Sequence, residues 1–476
     1  MDTKTLIHEI AAEKAELIAD LNRCIYEYAE DGYKEFQSAE KIIRVLEDEG
    51  FTVERNAAGI ATAFIGTYGS GKPVIGITAE YDALPDLSQK AGCVTRMPIE
   101  GKAFGHGCGH SSLGSGSVGA AIVAKEYLKR TGKQGTIRLF GCPAEETGFG
   151  KVFMAREHCF DGLDMAFSWH PDVYNRCFPR TIANYKVRFD FKGISAHAGA
   201  CPELGRSALD ACELMNVGVQ YLREHIISSA RVHYAYLDHG GDAPNTVQSH
   251  ASLLYLIRAP RIEQATEIRE RVERIAKGAA MMTDTEVAIH VLGGLYDYIP
   301  NATATKLISD AFMEEGCPDY TEEDFAEARE FLNAMPEEER AKVIKEGAQL
   351  NGVSEAEFAE HPLHTKFIPY TDKLRETVFP ASTDVGDVSH IVPTGQCNAA
   401  AAIIGTGAHT WKFGAQAGSG IGSRAAQATA RALGYACAKV YEDPALAEKA
   451  GRELKEETGG GYVSPLPAEL KPGTDM

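Results

Sequence analysis

The sequence lacks the features of several classes of protein. It has 48 Lys and Arg residues against 67 Asp and Glu, which gives a formal net charge of −19. This balance argues against a nucleic-acid partner, because phosphate binding needs a basic surface. An anionic small substrate stays compatible, since it needs only one or two local cations. No apolar run is long enough to cross a bilayer, so we expect no membrane association.

A disulfide framework and a secretory signal are also missing. The 11 cysteines are odd in number and follow no regular spacing, which predicts reduced thiols. The opening stretch MDTKTLIHEIAAEKAELIADL predicts an acidic amphipathic helix, because it has neither a basic start nor an unbroken apolar centre. Together these features predict a cytoplasmic protein.

Two common hydrolase motifs, H-E-x-x-H and G-x-S-x-G, do not occur. The sequence therefore lacks the usual markers of a single-zinc helical protease and of a serine hydrolase. GTYGSGK (66–72) resembles a phosphate-binding loop. However, Pro73 stands where that loop needs Ser or Thr, and a strand follows instead of a helix. We interpret this stretch as the turn of a β-hairpin.

What the sequence does contain favours two domains. Strand-like and helical stretches alternate to about residue 183 and again from about residue 298. This alternation predicts an α/β domain with a mixed, largely parallel sheet and helices on both faces. Residues 184–297 follow the order β-α-β-β-α-β, which predicts an inserted ferredoxin-like α+β domain. The expected domains are thus 1–183 with 298–476, and 184–297.

The stretch GHGCGH (105–110) places three metal-binding residue types at alternate positions: His106, Cys108 and His110. Extended backbone would point all three side chains to one side. A single His is often structural, and a free Cys often behaves as a small buried apolar residue. Three such residues at regular spacing instead favour a metal site.

Further candidates follow buried strands elsewhere in the chain. Glu145 and Glu146 lie in PAEE, His170 in SWHP and His409 in GTGAHTW. The carboxyl ends of parallel strands meet at one edge of a sheet, where ligands gather. One of two adjacent carboxylates can hold a metal while the other serves as a general base. The alternative is a solvated acidic turn, since Glu is usually a surface residue.

These stretches resemble the M20 metallopeptidase/amidohydrolase family, in the branch whose metal motif is C-G-H. The subgroup that cleaves p-aminobenzoyl-glutamate is the most similar. The matching motifs occur in the family's order and span nearly the whole chain: AEYDALP (79–85), GHGCGH (105–110), PAEETGFGKVFMARE (143–157), SWHP (168–171), GISAHAGACPELGRSALDA (193–211), STDVGDVS (382–389) and GTGAHTW (405–411). The resemblance implies a zinc-peptidase-like catalytic domain with an inserted lid that also forms the dimer.

The resemblance also implies roles for individual residues. Two divalent metal ions per subunit, zinc or manganese, would be held by Cys108, His110, Glu146, His170 and His409, with Cys108 as the bridging thiolate. Glu145 would be the general base, and Asp82 would orient a metal-bound imidazole. His106 is not assigned as a ligand.

Three residues of the inserted domain would contact the substrate. His197 would reach the site of the neighbouring subunit and stabilise the oxyanion, a role that predicts a homodimer or a pair with a related second subunit. Asn245 and Arg258 would grip the free carboxylate of a small amide substrate. Arginine suits this task because its planar fork matches a carboxylate.

The predicted activity is hydrolysis of an N-acyl or N-aroyl amino acid such as p-aminobenzoyl-glutamate. Two alternatives stay open: a dipeptidase or auxin-type conjugate hydrolase of the same family, and a non-catalytic partner subunit. Ser111 and Gln248 depart from the family pattern, and His390 is an unassigned imidazole near the motifs. These departures leave the identity of the acyl group open.

Overall fold

A computed structural model gives the architecture of the protein and describes residues 1–473. The chain divides into two compact units. Unit 1 comprises Met1–Arg180, Ile299–Thr377 and Val388–Tyr462. Unit 2 comprises Thr181–Tyr298, Val378–Asp387 and the segment that begins at Val463. Among the described residues, no helix combines the length and the apolar character that a membrane crossing requires.

The helices and strands follow one another along the chain. The first part of unit 1 contains α1 (Thr3–Tyr28), α2 (Phe36–Asp48), β1 (Thr52–Arg55), β2 (Phe64–Ser70), β3 (Val74–Ala79), β4 (Leu84–Pro85), β5 (Phe104–Gly105), α3 (His110–Thr131), β6 (Gly135–Gly141), α4 (Glu145–Gly148), α5 (Gly150–Arg156), β7 (Met165–Asp172) and β8 (Arg176–Cys177). Unit 2 follows with β9 (Ala183–Lys192), α6 (Ala208–Leu222), β10 (Arg231–Asp238), β11 (His250–Ala259), α7 (Ile262–Thr283) and β12 (Glu286–Leu295). The rest of the chain forms α8 (Ala302–Glu315), α9 (Glu322–Asn333), α10 (Glu337–Asn351), α11 (Glu355–Glu360), α12 (Asp372–Glu376), α13 (Val385–Ile391), β13 (Thr394–Ala400), α14 (Trp411–Ala417), α15 (Gly420–Glu442) and α16 (Ala445–Thr458).

Unit 1 is built on a seven-stranded sheet in the order β1-β2-β6-β3-β7-β13-β8. The four adjacent strands β6, β3, β7 and β13 run parallel to one another. Nearly all of their residues are buried, as expected for parallel strands that are covered on both faces. Helices flank this sheet, which confirms the predicted fold class.

The hairpin interpretation of GTYGSGK is wrong. Its first five residues belong to β2 and its last two precede β3, but β6 lies between these two strands in the sheet. β2 pairs antiparallel with β6, and β3 pairs parallel with β6 on its other side. Pairing with a strand that comes about 60 residues later leaves no signal in the local sequence.

Unit 2 contains a four-stranded antiparallel sheet in the order β10-β11-β9-β12. Its chain order is β-α-β-β-α-β, as predicted. Alternate residues of β9, namely Tyr185, Val187, Phe189 and Phe191, pack in one apolar core with residues of α6 and α7. The intervening residues of β9 therefore lie on the opposite face of the sheet.

Candidate metal centre

Three neighbouring strands of unit 1 bring polar side chains to the same edge of the sheet. Glu80 and Asp82 follow the end of β3, Glu145 and Glu146 follow β6, and His170 lies near the end of β7. Because parallel strands present their carboxyl ends together, these residues converge although they are far apart in the sequence.

The GHGCGH stretch is a turn leading into a helix, so the expectation that extended backbone aims three ligands one way is wrong. Gly109 adopts φ +79°, and α3 begins at His110. His106 Nε2 lies 2.9 Å from the carbonyl oxygen of Ile25, to which it donates. Cys108 and His110 therefore lie among the potential metal ligands, whereas His106 is hydrogen-bonded to a backbone carbonyl oxygen.

Cys108 is shared by two groups of potential metal ligands. In the first group, Cys108, His110 and His170 each offer one ligand atom, and these atoms lie within 4.8 Å of one another. The Sγ atom of Cys108 is 3.4 Å from Nε2 of His170. In the second group, Cys108, Glu146 and His409 meet the same distance limit. Two groups with one common thiol fit a pair of neighbouring metal ions.

Asp82 orients two members of this cluster. Its Oδ1 accepts a hydrogen bond from His110 Nδ1 at 2.8 Å, and its Oδ2 accepts one from the backbone N–H of Glu146 at 3.0 Å. Burial by itself would lower the pKa of His110, but the charges of Asp82 and Cys108 outweigh it and raise that pKa well above its usual value. Asp82 thus leaves Nε2 of His110 pointing into the cluster.

His170 is fixed in the same manner by a backbone group. Its Nδ1 donates to the carbonyl oxygen of Pro171 at 2.7 Å, which leaves Nε2 to face Cys108. Burial lowers the pKa of His170 and so favours the neutral ring that a metal requires. A hydrogen bond to the remote ring nitrogen is the usual way in which a protein orients a ligating imidazole.

Several inward-facing atoms of the cluster are buried and make no hydrogen bond: Glu80 Oε2, His110 Nε2 and Glu146 Oε1. His110 Nε2 is only 3.3 Å from Glu80 Oε2 and 4.0 Å from Glu146 Oε1. Buried polar atoms without partners are costly. Nitrogen, thiol and carboxylate groups that converge in this way fit divalent cations, which would satisfy all of them.

Glu80 also lies in the cluster, although it was not among the predicted site residues. Its Oε1 accepts from Lys151 Nζ at 2.7 Å, and both side chains are buried. Burial by itself would raise the pKa of Glu80, but the Lys151 charge outweighs it and lowers that pKa. Glu80 also forms a third group of potential ligands with His110 and Glu145. Its place two residues before Asp82 in AEYDALP, on the same side of an extended segment, was the available signal.

A strained turn carries Glu145 and Glu146. Ala144 has φ +55°, a left-handed conformation that is uncommon outside glycine. The backbone N–H of Ala144 donates to Glu35 Oε1 at 2.8 Å, and Thr62 Oγ1 donates to Glu35 Oε2 at 2.9 Å. Burial, helped by the charge of Asp82, raises the pKa of Glu35 to about 8. Glu35 therefore holds the backbone of this turn in place through the N–H of Ala144.

His409 approaches from the segment before α14. It has φ +58°, and its backbone N–H donates to the carbonyl oxygen of Gly107 at 2.9 Å. Its Nε2 lies 3.3 Å from Glu146 Oε2, and its side chain is 57% exposed. The ring therefore forms the outer side of the cluster, next to the turn that contains Cys108.

The other predicted site residues lie in unit 2. His197 and Asn245 are on neighbouring segments, because the N–H of Ala198 donates to the carbonyl oxygen of Asn245 at 2.9 Å. The backbone N–H groups of Gly199 and Ala200 donate to Nδ1 of His197, which leaves Nε2 of this exposed ring available. Arg258 lies on β11.

The positions that depart from the family pattern fall in different surroundings. Ser111 is fully buried in the first turn of α3, and its Oγ makes no hydrogen bond. Gln248 accepts a backbone hydrogen bond from Ala208. His390 lies on α13.

Comparison with known proteins agrees with this geometry. Residues 76–475 match Peptidase family M20/M25/M40, which confirms the resemblance seen in the motifs. One of the subunits of the p-aminobenzoyl-glutamate hydrolase of Escherichia coli K12 is 40% identical over 459 residues, 95% of each chain. The mouse Xaa-Arg dipeptidase is 28% identical and covers 93% of this chain and 90% of its own length. A dinuclear metal-binding M20 peptidase from Bacillus subtilis superimposes with a TM-score of 0.58 at 16% identity, covering 90% of this chain and 99% of its own.

Proposed function

Since the chain belongs to Peptidase family M20/M25/M40, we propose that it is a two-metal amidohydrolase of N-acyl or N-aroyl amino acids, with p-aminobenzoyl-glutamate as the leading substrate. The observation that carries this proposal is the pair of ligand groups that share Cys108, with Glu145 beside them. The 40% identity to one chain of a p-aminobenzoyl-glutamate hydrolase supports the choice of substrate.

The proposed ligands divide between two metal ions. Cys108, His110 and His170 would hold one ion, and Cys108, Glu146 and His409 the other. The thiolate favours zinc over hard cations, and manganese is the alternative. When bound, the ions supply Lewis acidity that polarises an amide carbonyl and acidifies a water molecule.

The protein's own side chains would move the proton and fix the substrate. Glu145, half-buried at the start of α4, takes the proton of the attacking water and delivers it to the leaving nitrogen. His197 donates to the developing oxyanion, a type of interaction commonly worth about 2.7–4 kcal/mol. Asn245 and Arg258 bind the carboxylate of the amino-acid part.

The assembly proposed is a homodimer formed through unit 2. Its edge strand β10 exposes Tyr234, Tyr236 and Leu237, and α6 exposes Val217 and Tyr221. An unpaired strand edge beside exposed apolar side chains suits association with a second copy of the same surface. Because the Escherichia coli relative is named as one of the subunits of its hydrolase, a related second chain is the alternative. Sedimentation of the pure chain, alone and with such a second chain, distinguishes the two.

A second candidate function is peptide hydrolysis, which the 28% identity to an Xaa-Arg dipeptidase favours. A panel of p-aminobenzoyl-glutamate, indole-acyl amino acids and dipeptides separates the candidates. We expect p-aminobenzoyl-glutamate to have the highest kcat/KM. Equal and weak turnover of the whole panel would contradict a narrow specificity, and no turnover by the metal-loaded protein would favour a non-catalytic subunit.

The test of the mechanism is Glu145→Gln. We expect this variant to keep its full metal content and to lose about 10²–10⁴-fold in kcat, the range typical of a general base. Glu157→Gln, an exposed carboxylate on the same segment, is the matched control and should keep full activity. Full metal content together with full hydrolysis in Glu145→Gln would show that another group is the base.

A further inference from the structure

The outer face of the unit 2 sheet, opposite α6 and α7, carries an uneven distribution of charge. On β9 this face presents Asn184, Lys186, Arg188 and Asp190 in succession, because alternate residues share a face. Their partners on β11 are, in the same order, Arg258, Leu256, Leu254 and Ser252. Asp190 lies toward one end of this face, and Lys186 and Arg258 lie toward the other.

At the first end, both carboxylate oxygens of Asp190 have partners. Its Oδ2 accepts from Arg188 Nε at 3.0 Å and lies 3.2 Å from Nε2 of His290, and its Oδ1 accepts from Ser252 Oγ at 2.6 Å. Asp190 lies four residues from Lys186, about 13 Å along an extended strand. This carboxylate is therefore too distant and too well satisfied to neutralise Lys186.

At the other end, Lys186 and Arg258 have no acidic partner among residues 1–473. Lys186 is half-buried, and burial alone lowers its pKa. The Nε of Arg258 and the Oδ1 of Asn184 are buried and make no hydrogen bond. The unpaired donor of Arg258 thus lies next to a half-buried lysine that has no acidic partner among the described residues.

A third cation intensifies the positive potential at this end. Arg231 on β10 is directly opposite Arg258 in the antiparallel register. Its guanidinium already donates to the carbonyl oxygens of Ser228 and Ala230, each at 2.7 Å. Lys186 and Arg258 are diagonal neighbours, which lie about 7–8 Å apart and somewhat closer at their Cβ atoms. Like charges so close together on partly buried positions are destabilising unless an anion lies between them.

We propose that Lys186 and Arg258 form a receptor for a dicarboxylic amino acid, in which Arg258 binds the α-carboxylate and Lys186 binds the side-chain carboxylate. The assignment of Arg258 rests on the proposed function; that of Lys186 is new and makes it a specificity-determining residue. The receptor selects N-acyl glutamate over N-acyl amino acids with neutral side chains.

The test compares p-aminobenzoyl-glutamate with p-aminobenzoyl-glutamine, which differ in one charge, on the metal-loaded protein. We expect Lys186→Met to lower kcat/KM for the glutamate substrate by about 10- to 100-fold, the factor that corresponds to one charged hydrogen bond. The loss should appear in KM, and the glutamine substrate should change by less than about twofold. Lys192→Met, an exposed cation on the same strand and face, is the matched control and should alter neither substrate.

A binding measurement separates this inference from the proposed function. Free glutamate should raise the melting temperature of the wild type but not of Lys186→Met, whose own melting temperature without glutamate should be equal or higher. If the wild type cleaves none of the panel but glutamate still stabilises it through Lys186, the receptor stands and the proposed function fails. If Lys186→Met keeps the preference for glutamate over glutamine, or loses both substrates equally, the receptor is wrong while the hydrolase stands.

Discussion

Glu35 shows how a residue far in sequence from the proposed metal ligands can position them. It is fully buried in the connection between α1 and α2, and it binds the backbone of Ala144 and the hydroxyl of Thr62. Ala144 is the strained residue directly before Glu145 and Glu146. Strain of this kind persists only where the surroundings enforce it. The carboxyl of Glu35 is therefore part of what determines where the proposed base points.

The raised pKa of Glu35 predicts a pH dependence of stability. This pKa is about 8 in the folded chain and 4.5 as the reference value, so between these values the folded state binds the proton more tightly than the unfolded state. The contribution of Glu35 to the free energy of unfolding therefore decreases as the pH rises from about 4.5 to about 8. Glu35→Gln should remove that decrease, so the variant should gain stability relative to the wild type between pH 5 and pH 8.

Chemical denaturation of both proteins at pH 5 and pH 8 measures this effect. Glu16→Gln, on the exposed side of α1, is the control and should follow the wild type at both pH values. A constant difference between Glu35→Gln and the wild type across this range would contradict the assignment.

At this scale the sequence pointed to most of the side chains that the structure brings into the cluster, but not to the residues that hold them in place. Cys108, His110 and Glu146 stand in recognisable motifs. Glu35, by contrast, is 109 residues from the Ala144 backbone that it binds. Lys151 is a fully buried lysine that looks like a surface residue in GKVFMARE. Such pairings depend on which loops the fold brings together, and no local pattern encodes them.

At the scale of elements, the small residues of α3 allow close packing of helices. This helix packs against both α1 and α15. A Cβ atom at Gly119 would lie 2.6 Å from Ile18 Cδ1 on α1 and 2.8 Å from Ala430 Cβ on α15. The run of Ser, Gly and Ala after His110 therefore lets two helices approach the helix that begins with this proposed ligand. The sequence predicted the helix, but the identity of its neighbours depends on segments about 100 and 300 residues away.

Replacing Gly119 by alanine should therefore destabilise the protein although alanine favours helices. We expect a loss of about 1–3 kcal/mol in the free energy of unfolding, the usual result of overpacking. Gly451→Ala on α16, where an added Cβ would meet nothing within 4 Å, should instead stabilise by about 0.5–1 kcal/mol. Denaturant unfolding of both variants decides this. Equal effects of the two substitutions on the free energy of unfolding would mean that an added Cβ atom at Gly119 does not clash with its neighbours.

At the scale of the whole molecule, the proposed role of His197 requires two copies of the chain. His197 is exposed, and its Nδ1 is occupied by two backbone N–H groups. Donation from Nε2 to a substrate in the partner subunit's site would make each site depend on both chains. That dependence can be tested without any structure of the dimer.

Mixtures of Glu145→Gln and His197→Ala subunits, each inactive alone, should recover activity. A mixed dimer contains one site with both groups intact, so random exchange should restore about a quarter of wild-type activity. Mixed dimers can be confirmed with differently tagged subunits. If confirmed mixed dimers have no activity, His197 acts within its own chain or not at all.

The packing of α3 between α1 and α15 also bears on how the chain is made. α3 ends at Thr131, and α15 begins at Gly420. At ordinary rates of translation, the roughly 290 residues between them take on the order of 15–60 s to synthesise. Throughout that interval the helix that begins with His110 has one side without its partner. The residues that form the cluster around Cys108 are therefore all synthesised before the helix that packs on this side of α3 exists.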